Sequence, residues 1–222
     1  MMILGGSTVI TAVAFDVGEV LVDETRENAA WADWLGVPRH TFSAVLGALM
    51  ARGRDAAEIF QIFRPGFDFA RERTRREAAG RPELIEEGDL YPDVRPALTA
   101  LREAGLWVGI AGNQTERAGR LLRALGLPAD LVGTSHEWSL RKPDPRFFAR
   151  VAREAGRPPE EILYVGDRWD NDIRPALAAG MRAAHIRRGP WAYIDDADVT
   201  PTMRVESLAE LPAAIAAFNA GR

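Results

Sequence analysis

The sequence predicts a doubly wound α/β fold, a parallel sheet with helices on both faces, with a small helical domain inserted near the N-terminus. Short apolar runs rich in β-branched residues alternate with amphipathic helical patterns, which is typical of βαβ units. One long segment, residues 24–90, contains helical patterns only. We therefore expect an α/β core made of residues 1–23 and 91–222, and a helical domain made of residues 24–90.

Four apolar runs are the predicted core strands. The first run, VITAVAF, ends directly at the charged residue Asp16. A strand that is buried on both faces of a parallel sheet is apolar along almost its whole length. The four predicted strands are residues 9–15, 106–111, 162–165 and 183–186.

Helical patterns fill the intervals between these strands. Each of four patterns is followed by a glycine, which is a common residue just beyond the end of a helix. A fifth pattern, residues 208–218, follows Ser207 and predicts a closing helix. The four glycine-terminated helices are predicted at residues 93–104, 115–125, 145–155 and 171–179.

Composition excludes several kinds of site. The chain of 222 residues has no cysteine, which excludes disulfides, thiolate metal sites and a cysteine nucleophile. Its three histidines are scattered without metal-ligand spacing, so zinc or non-haem iron is not expected. A bound metal is therefore expected among oxygen ligands.

Charge and hydropathy indicate the class of partner. The net charge is −4 and arginines are mixed with acidic residues, which argues against a nucleic-acid partner. No apolar run has the length of a membrane span, and the N-terminal segment lacks a basic region followed by a long apolar one. We expect a cytoplasmic protein, a monomer or homodimer, that acts on a small molecule.

Polar side chains follow the predicted strands at their carboxyl ends. Asp16, Asn113, Lys142 and the pair Asp167 and Asp172 are far apart in the chain. Ligands of an open parallel sheet bind beyond the carboxyl ends of its strands, near the point where the strand order reverses. We therefore expect these five residues to converge on one edge of the sheet.

The five residues together predict phosphoryl-transfer chemistry. Three neighbouring carboxylates repel one another unless a cation neutralises them, and carboxylate oxygens favour Mg²⁺. Lys142 would hold the Asp16 carboxylate in line and bind a phosphoryl oxygen, while Asn113 would donate a hydrogen bond. Asp16 would then act as a covalent nucleophile through an aspartyl-phosphate.

At these residues the chain resembles the haloacid dehalogenase-like hydrolases. The family's four motifs occur in order and the resemblance covers residues 9–188. Residues 24–90 lie where the family places its cap, directly after the first motif. The motifs read FDVGEVL at 15–21, IAGN at 110–113, RKPDP at 141–145, and VGD at 165–167 with ND at 171–172.

The resemblance implies a role for each matching residue. Asp16 would be the nucleophile, with Lys142 and Asn113 as its catalytic partners. Gly112, Asn113 and Lys142 would bind the transferred group. The Mg²⁺ ligands would be Asp16, the backbone carbonyl of Gly18, Asp167 and Asp172.

The chain departs from the family's pattern at two positions. Phosphatases of the family usually have a second aspartate two residues after the nucleophile, which acts as general acid and base, and this chain has Gly18 there. Glu19 is one candidate to replace it. At the second motif Gly112 removes a hydroxyl that the family usually has, although a backbone amide can still donate.

The sequence therefore predicts a magnesium-dependent phosphatase of a small organic phosphate. A sugar phosphate with a good leaving group would need the missing acid least. Two alternatives remain open. One is a carbon–halogen hydrolase with the same nucleophile, and the other is a protein with weakened catalysis that only binds a phosphorylated ligand.

Overall fold

A six-stranded sheet forms the centre of the molecule. The computed structural model of the chain describes residues 9–194 and 199–221. All strand pairs in the sheet are parallel, and the strands lie in the order β3-β2-β1-β4-β5-β6. They are β1 (Ala12–Phe15), β2 (Trp107–Gly112), β3 (Leu131–Thr134), β4 (Ile162–Gly166), β5 (Arg182–Ile186) and β6 (Met203–Val205).

The strand order reverses between β1 and β4. From β1 the chain moves outward through β2 to β3, and then returns to β4 on the other side of β1. This is the arrangement of a doubly wound fold, in which the reversal leaves a crevice at the carboxyl ends of the strands. The predicted fold class is confirmed.

Strand β1 is buried on both faces, as its apolar composition predicts. All four of its residues are fully buried. Val13 and Phe15 pack into one hydrophobic cluster, while Ala12 and Ala14 pack into a second cluster on the opposite face. The alternation places one helical layer on each side of the sheet.

Ten α-helices are described along residues 9–194 and 199–221. Helices α5, α6 and α10 contribute side chains to the cluster that contains Val13 and Phe15, and α8 and α9 contribute to the other. The helices are α1 (Thr25–Leu35), α2 (Arg39–Met50), α3 (Glu58–Phe63), α4 (Phe69–Ala78), α5 (Val94–Glu103), α6 (Glu116–Ala124), α7 (Ser135–Trp138), α8 (Pro145–Ala155), α9 (Arg174–Ala178) and α10 (Leu211–Ala220).

Helices α1 to α4 lie between β1 and β2 and share a hydrophobic cluster of their own. Trp31 packs edge-on against Phe60 with ring centroids 5.1 Å apart, and Arg76 lies 4.0 Å from the centre of the Trp31 ring. Trp191, which follows β5, packs against the same cluster. The division of the chain at residues 24 and 90 stays a prediction.

Several predicted bounds differ from the structure. The predicted strand 9–15 begins only at Ala12, and the predicted helix 171–179 consists of a π-helical turn, Trp169–Ile173, followed by α9. Strands β3 and β6 were not predicted. Their sequences, LVGT and MRV, lack the continuous apolar run by which the other strands were recognised.

No helix within residues 9–194 and 199–221 has both the length and the apolar character that crossing a membrane requires.

A partly buried ion pair joins the N-terminal end of α5 to the loop after β5. Asp93 Oδ2 lies 2.5 Å from an Arg188 guanidinium nitrogen and accepts hydrogen bonds from Ser207 Oγ and the Leu208 amide. Arg188 also donates to the carbonyl of Val20. Burial alone would raise the pKa of Asp93, but the hydrogen bonds from Arg188 and Ser207 lower it below its usual value.

We predict that Asp93→Ala lowers the free energy of unfolding by about 3 kcal/mol near neutral pH, because it leaves the Arg188 charge without its partner. A carboxyl with a lowered pKa stabilises the fold above the pKa of the unfolded chain. The difference between wild type and variant should therefore decrease as the pH falls below about 4. Urea unfolding at several pH values measures both effects.

The control for this prediction is Asp33→Ala, which breaks the exposed ion pair between Asp33 and Arg39. Exposed pairs contribute about 0–1 kcal/mol. Equal losses of unfolding free energy in the two variants would show that the contacts of Asp93 stabilise the fold no more than an exposed ion pair does.

Candidate active site

The carboxyl ends of three strands carry the predicted site residues. Asp16 follows β1, Asn113 follows β2 and Asp167 follows β4. The backbone amide of Asp16 still donates to the carbonyl of Val165 in β4, at 2.9 Å. Asp16 and Asp167 therefore lie side by side at the point where the strand order reverses.

Lys142 holds two of the three predicted carboxylates. Its Nζ atom lies 2.8 Å from Asp16 Oδ1 and 2.5 Å from Asp172 Oδ1. The lysine side chain is fully buried, and so is that of Asp172, whereas 11% of the Asp16 side chain is exposed. Asp16 is thus oriented by a fixed charge while part of its carboxyl group stays accessible.

Asp16, Asp167 and Asp172 form an acidic cluster in which one ligand atom of each lies within 4.8 Å of the others. Asp172 Oδ1 contacts Lys142, and its Oδ2 accepts a hydrogen bond from the Arg168 amide at 3.1 Å. Asp167 Oδ2 is buried and has no hydrogen-bond partner among the described residues. Such an orphaned buried oxygen requires a partner, and a cation would supply one.

The acidic cluster changes the pKa values of its members. Burial raises the pKa of Asp167 well above its usual value, and the charges of Asp172 and Asp16 raise it further. Burial also raises the pKa of Asp172, to about 6, although Lys142 partly offsets this. Burial opposes the charge on Lys142, but Asp16 and Asp172 outweigh it and raise the lysine pKa well above normal. The lysine is therefore charged.

Asn113 positions the backbone of Lys142. Its amide nitrogen donates to the Lys142 carbonyl at 3.0 Å, and its side-chain oxygen accepts from the Lys142 amide at 2.9 Å. These two bonds join the end of β2 to the loop before α8. One N–H of the Asn113 amide remains for another acceptor, so the predicted contact with a substrate oxygen stays a prediction.

Two glycines allow the carboxylates to approach the strand ends. A Cβ atom on Gly112 would lie 2.5 Å from Asp16 Oδ1, and one on Gly166 would lie 2.4 Å from the Asp172 Cβ. Both distances are shorter than atoms in contact can have. Gly112, predicted to bind the transferred group, thus makes space for the Asp16 carboxylate.

A cavity of about 790 Å³ opens above the acidic cluster. Its floor contains Asp16, Gly18, Asn113, Lys142 and Asp167, five of the seven predicted site residues. The other two, Gly112 and Asp172, do not line the cavity. The opposite wall comes from helices α1 to α3 and the loop before α3, and includes Asn28, Phe42, Leu46, Met50, Arg54 and Phe60.

Sequence analysis did not identify Glu24 or Arg168 as site residues, although both line the cavity. Arg168 directly follows Asp167, and its guanidinium group lies 3.8 Å from the centre of the Trp191 ring. Glu24 immediately precedes α1. Only proximity to a motif could have indicated Arg168, and Glu24 lies outside every motif.

Several known phosphatases are similar in sequence to this chain. The chain is 39% identical over 127 residues to a glyceraldehyde 3-phosphate phosphatase of Methanopyrus kandleri, a match that covers 54% of each protein. It is 31% identical over 193 residues to a phosphatase of Mycobacterium tuberculosis, covering 81% of this chain and 88% of that protein. The chain spans about half the length of several curated relatives that it matches.

Solved structures share the fold. The HAD-hydrolase YfnB of Bacillus subtilis, in a magnesium-bound form, superposes with a TM-score of 0.72 at 17% identity, and the match covers 94% of this chain and 99% of that one.

Fold and site define an α/β protein with an aspartate and a lysine at the switch point of a parallel sheet. The model of the haloacid dehalogenase-like hydrolases matches residues 10–180. The chain belongs to this family, as the order of its motifs predicts.

We predict that Mg²⁺ and protons compete for the acidic cluster. The raised pKa values mean that the metal-free folded chain binds protons more tightly than the unfolded chain. Its stability should therefore fall as the pH rises from about 4 through about 6. Metal binding needs deprotonated carboxylates, so excess Mg²⁺ should raise the melting temperature by about 5 °C at about pH 8 and by less at about pH 5.

Asp167→Asn is the matched variant, since it removes the ligand oxygen that lacks a partner while keeping the shape of the side chain. It should abolish the Mg²⁺-induced rise in melting temperature. An unchanged rise in this variant would place the metal elsewhere.

Proposed function

We propose that this protein is a magnesium-dependent phosphatase of small organic phosphates, with Asp16 as its covalent nucleophile. One observation carries the proposal. The partly accessible carboxylate of Asp16 is paired with buried Lys142, within 4.8 Å of two further carboxylates and on the floor of a cavity. The family membership and the names of the two relatives support it.

Charge balance at the site favours a divalent cation. The site holds three carboxylates and a single ammonium group, so two negative charges remain when all four groups are ionised. One Mg²⁺ would neutralise them, and hard oxygen ligands suit this ion. Asp16 and Asp167 would hold it, with the Gly18 carbonyl and Asp172 as further predicted ligands. Bound there, it would offset negative charge on the transferring phosphoryl group.

The chain's own residues supply the remaining chemistry. Lys142 fixes the direction of the Asp16 carboxylate, so that one carboxylate oxygen faces a phosphorus atom entering from the cavity. Attack forms a bond between Asp16 and phosphorus while the bond from phosphorus to the substrate oxygen breaks. Lys142 and the free N–H of Asn113 would stabilise the phosphoryl oxygens. Water then releases inorganic phosphate and regenerates Asp16.

The opposite wall of the cavity determines which substrates enter. It combines apolar side chains, such as Phe42 and Phe60, with the polar side chains of Asn28 and Arg54. We propose that residues 24–90 act as a cap that excludes water and contacts the organic part of the substrate. A cavity of about 790 Å³ accommodates a compact metabolite.

We predict that the purified protein hydrolyses p-nitrophenyl phosphate with Mg²⁺, and that Asp16→Asn lowers kcat by at least about 10⁴-fold because the nucleophile is lost. Acid quenching during turnover should trap a phosphorylated wild-type chain, with the label on Asp16. The matched control is Asp33→Asn, an exposed carboxylate on α1, which should keep wild-type activity.

Two further measurements test the alternative functions, a carbon–halogen hydrolase and a binding protein. Halide release from a chlorinated acid without metal, together with no turnover of any phosphate monoester, would replace the phosphatase proposal. Ligand-induced thermal stabilisation without turnover would favour a binding protein.

A further inference from the structure

The carboxyl group of Glu24 occupies the space above Gly18, two residues beyond the nucleophile. A Cβ atom built on Gly18 would lie 2.3 Å from Glu24 Oε1 and 2.8 Å from Glu24 Cδ. Both separations are far below van der Waals contact. A side chain at position 18 would therefore begin where the Glu24 carboxyl group lies.

Glu19, the candidate that the sequence suggested for this role, is directed elsewhere. Its backbone adopts a left-handed conformation with φ of 56°. Its Oε2 accepts a hydrogen bond from the Tyr91 hydroxyl at 2.6 Å, and its side chain fills the space that a Cβ on Gly189 would need. Glu19 borders the cavity, but its carboxylate is engaged with Tyr91.

The carboxylate of Glu24 has no such structural partner. Glu24 immediately precedes α1, yet its side chain does not cap the helix. Among residues 9–194 and 199–221, none donates a hydrogen bond to it. The residue is exposed to the cavity that Asp16, Gly18 and Asp167 also line. A group in this position is available to a substrate.

We propose that Glu24 is the general acid and base of the reaction, replacing the side chain that Gly18 lacks. The inference rests on the proposed phosphatase function. In the first step Asp16 attacks phosphorus, the bond to the leaving oxygen breaks, and the Glu24 carboxyl proton passes to that oxygen. In the second step water attacks phosphorus, its proton passes to the Glu24 carboxylate, and the bond from phosphorus to Asp16 breaks. Glu24 then carries its proton again.

The leaving group provides the test. An alkoxide leaving group needs a proton in the transition state, whereas p-nitrophenolate departs without one. Proton transfer of this kind contributes about 10²–10⁴-fold. Glu24→Gln should therefore lower kcat/KM for an alkyl phosphate, such as glycerol phosphate, by about 100-fold or more, and for p-nitrophenyl phosphate by less than about 10-fold.

The second step gives an independent readout. Because Glu24→Gln also removes the base that activates water, its aspartyl-phosphate should accumulate during p-nitrophenyl phosphate turnover. Acid quenching should recover a larger phosphorylated fraction from the variant than from wild type. A purely structural role for Glu24 would not produce this accumulation.

A double variant that moves the carboxylate from position 24 to position 18 gives a further test. The Gly18 backbone is outside the left-handed region, and the three atoms nearest to an ideal Cβ on Gly18 all belong to the Glu24 side chain. Glu24→Ala makes room, and Gly18→Asp in the same chain restores a carboxylate nearby. The double variant should regain at least about 10-fold of the alkyl phosphate activity that Glu24→Ala loses.

Glu19→Gln is the matched control, since it changes the neighbouring carboxylate. It should leave the ratio of alkyl to aryl phosphate activity at the wild-type value. If Glu24→Gln has the same ratio of alkyl to aryl phosphate activity as wild type, the inference is wrong. Loss of the Mg²⁺-induced thermal stabilisation in Glu24→Gln would also overturn it, because Glu24 would then be a metal ligand. Failure of wild type itself to hydrolyse any phosphate would instead reject the proposed function.

Discussion

The buried charge of Lys142 is the constraint on which the site depends. Only 1% of this residue is exposed, and burying an ammonium group costs several kcal/mol unless it is paired. Asp16 and Asp172 provide the pairing from two different parts of the chain. Removing either one would leave the lysine under-compensated, and removing the lysine would leave three carboxylates facing one another. Fold stability and site geometry are therefore linked through the same atoms.

The sheet supplies the rigidity that this charge arrangement requires. Asp16 and Asp167 follow adjacent strands whose register is fixed by parallel pairing, so their relative position does not depend on a flexible loop. Lys142 comes from a loop, but two hydrogen bonds to Asn113 attach its backbone to the end of β2. Beside Gly112 and Gly166 the side chains of Asp16 and Asp172 leave no room for a Cβ atom.

Sequence reasoning identified the parts of this arrangement that depend on strand order. Buried parallel strands are apolar throughout, so the charged residue ending β1 was conspicuous, and the family motifs located Lys142 and Asp167. It could not identify contacts that arise only in three dimensions. No periodicity or motif spacing in the sequence indicates that Asn113 pairs with the Lys142 backbone. The same is true of the contact between Glu24 and Gly18. Strands β3 and β6 were missed because polar residues or glycine interrupt their short apolar sequences.

The position of Glu24 has a consequence for how the site would be assembled. An acid at position 18 would belong to the loop after β1, whereas Glu24 stands at the start of α1. The beginning and end of residues 24–90 are joined, because Arg26 forms ion pairs with Glu86 and Asp89. On the proposal above, the proton donor reaches the reacting atoms only when α1 is placed over the cavity. Both proton transfers would then require α1 over the cavity, so that the aspartyl-phosphate would form only when the base for its hydrolysis is already in position.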